Sequence, residues 1–193
     1  WYFLRFCSPK EEKYPLTLSF CERSSLLQLN ETIKKEILFD SYVWVTSTSS
    51  TAKNYSETFF SNIEKNINLD KENDLIIEIA SNDGTFLKPF VKNGYKKVLG
   101  VDPAQNISKL ANKNNIKTIN EYWSKDFAYN LKKEYGDAKL VFARNVIPHV
   151  SEINSVVSGV ESILGEEGVG VFEIHDANVI FNELHYDSVY HEH

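Results

Sequence analysis

An alternation of short apolar segments with helical segments, from residue 74 onward, constrains the fold of this chain most strongly. Five apolar segments are predicted as strands: 75–80, 97–102, 116–119, 139–145 and 169–174. Four segments between them have the length and periodicity of helices: 85–93, 105–113, 125–134 and 152–164. Strands joined by helices of this length run parallel, because each connection must cross back over the sheet. The pattern therefore predicts an α/β fold with a doubly wound parallel sheet, preceded by a small irregular N-terminal segment.

The carboxyl ends of the predicted strands are the expected location of a ligand site. In an open parallel sheet a ligand lies beyond these ends, beside the point where the strand order reverses. The segments that follow the strands are rich in polar side chains: 81–84, 102–103, 120–123, 145–149 and 175–176. The sequence therefore predicts one small-molecule site at this edge of the sheet.

The turn after the first of these strands, within the stretch 76–90, restricts the ligand further. A dinucleotide site needs G-x-G-x-x-G, so that the backbone can approach a pyrophosphate, and a P-loop needs Gly-Lys-Ser/Thr. This turn instead reads Ala80-Ser-Asn82-Asp-Gly84, so side chains obstruct the approach of a phosphate. Asn82 and Gly84 both tolerate a left-handed backbone. We therefore predict a nucleoside cofactor without phosphates, S-adenosylmethionine (SAM).

Three further polar residues belong to the predicted cofactor site. Glu78 lies inside a strand, where a carboxylate needs a hydrogen bond or a charged partner. Asp102 ends the second strand of the series, where an acid accepts ribose hydroxyls but can also cap the following helix. Asn145, at the end of the fourth predicted strand, adds a polar side chain to the same edge of the sheet. The predicted cofactor-binding residues are Glu78, Ala80, Asn82, Gly84, Asp102 and Asn145.

Composition narrows the class of protein. A chain of 193 residues is long enough for one core with a small appendage. The formal net charge of −6 argues against general nucleic-acid binding, which favours a basic face. No apolar run approaches the ~18 residues of a membrane helix, and the first residues lack a signal-peptide pattern. We expect a cytoplasmic protein that binds neither nucleic acid nor membrane. Because the chain starts at Trp1 and contains no Met, we also expect it to be a piece of a longer protein.

Two local features of the N-terminal part leave interpretations open. Cys7 and Cys21 do not make a disulfide framework, and Cys21-Glu-Arg-Ser24 lacks the second thiol of a zinc motif, so no metal site is predicted. The run 45–51, with six consecutive hydroxyl residues, is consistent with a solvated loop before a helix near 54–66. It is equally consistent with a loop that folds over a ligand.

Several motifs, in this order along the chain, resemble one family, the sugar C-methyltransferases, which act on nucleotide-linked keto-deoxysugars. The motifs are EIASNDGTFL, GVDPAQNI, FARNVIPHV and the terminal DSVYHEH, with YPLTLSFCERSSLLQL and YVWVTSTSST upstream. The resemblance implies a Rossmann-like SAM-dependent methyltransferase core at 54–193, incomplete at its C-terminus, after the remnant of a zinc-binding-type domain at 1–53. It departs from the family at Ser24, where a Cys is expected. A nucleotide-linked 4-keto-deoxysugar is the implied substrate.

The resemblance also implies catalytic residues. Methylation of a carbon next to a ketone requires a base near neutral pKa and hydrogen-bond donors for the enolate oxygen. Tyr190, Glu192 and His193 are implied as substrate and catalytic residues, and His149 as a further acid/base or substrate contact. The sequence does not decide whether His149 or His193 is the base. It also leaves open an O- or N-methyltransferase of another small molecule and a SAM-binding module without turnover.

Overall fold

A five-stranded parallel sheet forms the centre of the protein in a computed structural model that describes residues 14, 15 and 17–185. An antiparallel hairpin precedes it, with strands β1 (Leu18–Cys21) and β2 (Leu26–Leu29). The sheet contains β3 (Leu75–Ile79), β4 (Lys97–Val101), β5 (Thr118–Ile119), β6 (Ala138–Arg144) and β7 (Leu164–Glu173). Its order is β5-β4-β3-β6-β7, and all neighbouring strands are parallel. The predicted fold class is confirmed, and the strand order reverses beside β3.

Helices cover both faces of this sheet. They are α1 (Lys35–Phe39), α2 (Ser50–Asn66), α3 (Lys88–Lys92), α4 (Gln105–Lys113), α5 (Lys125–Tyr135), α6 (Ile153–Ile163) and α7 (Ala177–Asn182). Short 3₁₀ turns span Thr46–Thr48 and Ile147–His149. In the described part of the chain, no helix is both long and apolar enough to cross a membrane.

The two faces of β3 are packed differently. Leu75, Ile77 and Ile79 contact a wholly apolar cluster that α5 and α6 supply. We call this the apolar face. On the opposite side, Ile76 packs with aromatic residues of α2 and α3, and Glu78 is buried beyond it. We call this the mixed face.

Element boundaries differ from prediction by three residues or more in three places. The first helix after β3 starts at Lys88 rather than residue 85, because the amides of Leu87 and Lys88 first close turns onto the Gly84 carbonyl. Strand β7 starts at Leu164 rather than residue 169, because Leu164 already pairs with Ala138 before an irregularity in register. Helix α2 begins at Ser50, so it crosses the predicted domain boundary after residue 53.

The N-terminal hairpin contributes little to the core. All four residues of β1 are exposed, and Phe20 keeps 61% of its surface accessible. Cys21 is an exposed free thiol, whereas Cys7 lies outside the described residues. The division into parts 1–53 and 54–193 stays a prediction.

Candidate functional site

A cavity of about 320 Å³ lies at the carboxyl edge of the sheet, where the site was predicted. This volume is within the range of small-molecule pockets. Its walls come from the residues that follow β3, β4, β6 and β7 and from a segment before α2. The lining residues that carry polar or aromatic groups are Phe39, Tyr42, Trp44, Thr46, Asn82, Asp102, Arg144, Asn145, His149 and His175.

The turn after β3 has the left-handed backbone that is typical of glycine-rich loops, although only one of its three left-handed residues is glycine. Ala80, Asn82 and Gly84 have φ values of +51°, +50° and +77°, so alternate residues are left-handed. We predicted this conformation for Asn82 and Gly84 but not for Ala80, where it costs about 1–2 kcal/mol. A Cβ on Gly84 would lie 2.5 Å from Ile116, so this position must be glycine. Ala80 and Asn82 line the cavity, whereas Gly84 lies behind it and shapes the turn.

The side chain of Asn82 fixes a segment that covers the cavity. Its Oδ1 accepts a hydrogen bond from the Thr46 amide at 2.9 Å, and its Nδ2 donates to the Trp44 carbonyl at 3.1 Å. The Ser47 amide donates to Asp83 in the same turn. We call residues 39–46 the aromatic strap, because they bring Phe39, Tyr42 and Trp44 to the cavity. The Asn82 side chain is thus occupied by this segment, and its backbone amide is occupied by Asp102 Oδ2 at 2.8 Å.

The hydroxyl-rich run therefore does not form a single loop. Residues Thr46–Thr48 make a 3₁₀ turn, and the Ser49 hydroxyl caps α2 by accepting from the Ala52 amide at 3.2 Å. Ser50 and Thr51 already belong to α2. The expectation of a loop over a ligand applies to the start of the run only, where Thr46 lines the cavity.

Asp102 presents a buried carboxylate to the cavity from the end of β4. Its Oδ2 accepts from the Asn82 amide at 2.8 Å, and its Oδ1 accepts from the Ala104 amide at 2.9 Å. Burial raises the pKa of Asp102, although these two hydrogen bonds oppose the shift. A carboxylate has about four acceptor sites, so this one keeps capacity for the two hydroxyls of a ribose. Asp102 thus accepts from the Ala104 amide just before α4, and its position on the cavity wall also fits a contact with the ribose hydroxyls.

Glu78 supports the cavity wall from behind. The carboxyl group is 1% exposed, and its Oε1 accepts from Arg144 Nε and Nη2 at 3.3 and 3.1 Å. Burial raises the pKa of Glu78 to about 8, and the Arg144 charge offsets this only in part. Predicted as a cofactor contact, Glu78 is not a lining residue in the structure, because its side chain turns to Arg144.

The residues after β6 form the opposite wall. Asn145 is left-handed, with φ +52°, and is held by Glu173: its amide donates to the Glu173 carbonyl at 2.8 Å and its Nδ2 to Glu173 Oε1 at 3.1 Å. The Tyr55 hydroxyl donates to Glu173 Oε2 at 2.7 Å, and this bond raises the pKa of Tyr55. His149 lines the cavity from the 3₁₀ turn Ile147–His149. The predicted residues Asn145 and His149 therefore share one cavity with Asp102.

The sequence did not predict some of the site residues, and it predicted others that lie outside the described residues. Tyr190, Glu192 and His193 are outside the described residues and stay predictions. Arg144 and the aromatic strap were missed. A signal existed for Arg144, because a buried Glu78 requires a partner and Arg144 is the only arginine after residue 23. The strap had no such signal, because it depends on contacts to residues 36 and 38 positions away.

An open parallel sheet with an acid after its second strand fits an enzyme with a nucleoside cofactor, and side chains occupy the positions of the dinucleotide-binding glycines. Comparison with protein families agrees, since the family described as "Methyltransferase domain" matches residues 51–193. The chain belongs to this methyltransferase family. The predicted class of enzyme, a SAM-dependent methyltransferase, is confirmed at the level of family and fold.

Individual relatives fit the same family. The C-methyltransferase NovU of Streptomyces niveus is 28% identical over 183 residues, which are 95% of this chain and 43% of NovU. The chain thus spans less than half the length of this curated relative.

Solved structures share the fold at low identity. A SAM-dependent methyltransferase from Anabaena variabilis ATCC 29413 superposes with a TM-score of 0.56 at 16% identity, over 81% of this chain and 72% of that one. The plantazolicin methyltransferase BpumL, solved with a pentazolic desmethylPZN analog and SAH, gives a TM-score of 0.56 at 15% identity, over 72% of this chain and 53% of that one.

Proposed function

We propose that this chain is the cofactor-binding part of a SAM-dependent C-methyltransferase that acts next to the ketone of a nucleotide-linked 4-keto-deoxysugar. The observation that carries the proposal is that one cavity is lined by a buried acid, Asp102, and by an imidazole, His149. The first suits ribose hydroxyls, and the second suits removal of a proton at neutral pH. The resemblance of 95% of the chain to a C-methyltransferase supports the choice of carbon as the acceptor.

The cofactor supplies an electrophilic methyl group when it is bound. A carbon next to a ketone becomes a nucleophile only after it loses a proton, so a base must stand beside the acceptor. Among the described residues, we assign His149 to this step. Its imidazole accepts the proton from the carbon next to the carbonyl. The enolate oxygen then needs donors already in place. Tyr190 and His193 are our predicted donors, and His193 is also the alternative base.

The cavity wall formed by the residues after β6 has a different role from the wall that carries Asp102. Asn145 is fixed in a left-handed conformation by Glu173, which Tyr55 orients in turn. A side chain that a neighbour already holds in place loses little entropy when it binds a ligand. We assign Asn145 to the methionine half of the cofactor, opposite Asp102. We also propose that residues 1–53 form a separate N-terminal unit.

Exchange of the acceptor proton tests the choice of carbon. The chain is incubated with a nucleotide-linked 4-keto-deoxysugar and S-adenosylhomocysteine (SAH) in D₂O, and NMR follows deuterium at the carbon next to the ketone. We expect enzyme-dependent exchange that falls about 100-fold or more in His149→Gln, as for loss of a general base. His185→Gln, an exposed histidine that pairs with Glu183 at 3.3 Å, is the matched control.

The outcomes separate the competing functions. Exchange that needs His149 supports C-methylation with His149 as base. Exchange that persists in His149→Gln and is lost in His193→Gln transfers the role of base to His193. Absence of exchange in a folded chain that binds SAH contradicts C-methylation and favours an oxygen or nitrogen acceptor.

A further inference from the structure

The cavity wall carries charged groups of opposite sign, Asp102 and Arg144. Asp102 ends β4 and Arg144 ends β6, and β3 lies between these strands. Two strand spacings amount to about 10 Å. Among the described residues that line the cavity, Arg144 is the only lysine or arginine. A ligand with hydroxyls at one end and an anion at the other therefore matches this arrangement.

The guanidinium of Arg144 is held in a fixed orientation. It lies 3.0 Å from the centroid of the Phe86 ring, and Glu78 Oε1 accepts from its Nε and Nη2. Its side chain is 13% exposed, so it has limited freedom. The remaining three N–H groups bond to no residue that the structure describes. A guanidinium fixed in this way can bind a carboxylate through paired hydrogen bonds.

Glu78 offsets only part of the positive charge of Arg144. Glu78 is fully buried, and its Oε2 has no hydrogen-bond partner within the described part of the chain. Burial raises its pKa to about 8, and the neighbouring Asp102 and Asp83 act in the same direction. A protonated Glu78 still accepts hydrogen bonds from Arg144 but does not neutralise it. At pH 7 Glu78 therefore offsets the Arg144 charge only in part, so the guanidinium favours an anionic ligand group in the cavity.

We propose that Arg144 binds the carboxylate of the methionine half of the cofactor and that Glu78 positions its guanidinium. This inference rests on the proposed function, since it assumes that the cavity takes a SAM-like ligand. It adds a charged contact that selects ligands with an amino acid end over nucleosides that lack one. Arg144 is then a binding residue, and Glu78 acts through it.

Three ligands that differ at one end isolate this contact. Isothermal titration calorimetry at pH 7 compares SAH, its decarboxylated analogue S-adenosyl-3-thiopropylamine, and 5′-methylthioadenosine, which lacks the whole amino acid end. A charge-assisted pair of hydrogen bonds predicts that Arg144→Gln weakens SAH binding about 10- to 100-fold. The affinities for the decarboxylated analogue and for methylthioadenosine should stay unchanged. Lys139→Gln, on the same strand but paired with Glu167 at the surface, should change none of the three.

Three further variants show whether a loss of SAH affinity comes from the lost contact or from misfolding. Glu78→Gln with Arg144→Gln replaces both partners by neutral amides and should show the same selective loss for SAH, with folding checked by circular dichroism. Glu78→Gln alone tests the positioning role: because Gln still accepts from Arg144, SAH affinity should fall less than in Arg144→Gln. Arg144→Lys should recover part of the affinity for SAH.

The failures of the two proposals can be distinguished. If Arg144→Gln leaves SAH binding unchanged, or weakens all three ligands equally, the role of Arg144 is wrong while the proposed function stands. If the folded wild-type chain binds none of the three ligands, the proposed function is wrong and this inference falls with it.

Discussion

The apolar face and the mixed face of the sheet differ although they share the same strands. On β3, Ile77 points into a cluster without any charged member, whereas the next residue, Glu78, is buried beside Arg144. Both residues are at most 1% exposed, so burial alone does not distinguish them. The difference teaches that α5 and α6 stabilise the fold on one side, while the other side also carries groups that serve the cavity.

The largest effect we expect is a decrease in the free energy of unfolding as pH rises, caused by Glu78 on the mixed face. The pKa of Glu78 is raised by burial from 4.5 to about 8 in the folded state. Between these values the folded state binds more protons than the unfolded state, so stability is full below pH 4.5 and falls as pH rises to about 8. The slope reaches up to about 1.4 kcal/mol per pH unit.

Urea denaturation of the wild type and of Glu78→Gln at several pH values measures this slope. The variant should lose most of the decline, while any contribution of Asp102, whose pKa burial also raises, is common to both proteins. Identical pH profiles would show that Glu78 is ionised in the fold, and the contrast between the two faces would then be smaller than we propose.

The apolar face should respond to loss of volume. Ile77→Ala removes three carbons from a site with 0% exposure and should cost about 3–4 kcal/mol in the free energy of unfolding. SAH affinity of the folded variant should not change. Val157→Ala, on the exposed side of α6, is the control and should change stability by less than about 0.5 kcal/mol. A large loss of SAH affinity in Ile77→Ala would mean that the two faces are not independent.

Gly84 tests how tightly the turn packs against the mixed face. Gly84→Ala should cost about 2–3 kcal/mol, from a left-handed φ and from a Cβ that meets Ile116 at 2.5 Å. Gly94→Ala also has a positive φ, but its Cβ meets nothing within 4 Å, so it should lose only the backbone part. Thermal unfolding compares the two variants. Combining Gly84→Ala with Ile116→Ala should recover part of the excess, and equal losses at Gly84 and Gly94 would contradict the contact.

The smallest effect should come from the cap of the helix that covers the mixed face. Ser49 accepts from the Ala52 amide at the start of α2, and Ser49→Ala should cost about 1 kcal/mol. Ser49→Asp retains an acceptor and should restore the stability in thermal unfolding. If Ser49→Asp were as unstable as Ser49→Ala, the hydroxyl would not act as the cap.

Much of the sheet could be predicted because its central strands are mostly apolar. All of residues 75–79 and five of the seven residues 138–144 are buried, so their sequences carry a clear signal. The start of α3 could not be predicted, because Thr85 to Leu87 look helical but form turns around Gly84. The start of β7 was hidden by Gly165-Glu-Glu-Gly168, which resembles a turn.

The site was predictable to the extent that it depends on strand ends. Asp102, Asn145 and His149 follow strands, and parallel topology brings strand ends together whatever the connecting segments do. The role of Asn82 was not predictable, because its side chain holds Trp44 and Thr46, which are distant in sequence. Arg144 was overlooked because it ends a strand, although Glu78 required such a partner.

Calorimetric titration of the chain with SAH, in the wild type and in Asp102→Asn, tests the central claim most directly. The account predicts saturable binding that weakens about 10-fold or more in the variant, since hydrogen bonds to a charged group are lost. Asp137→Asn, an exposed acid paired with Lys132 at 2.7 Å, should bind as the wild type does. Unchanged binding in Asp102→Asn, or no binding by the folded wild type, would contradict the assignment of this cavity to the cofactor.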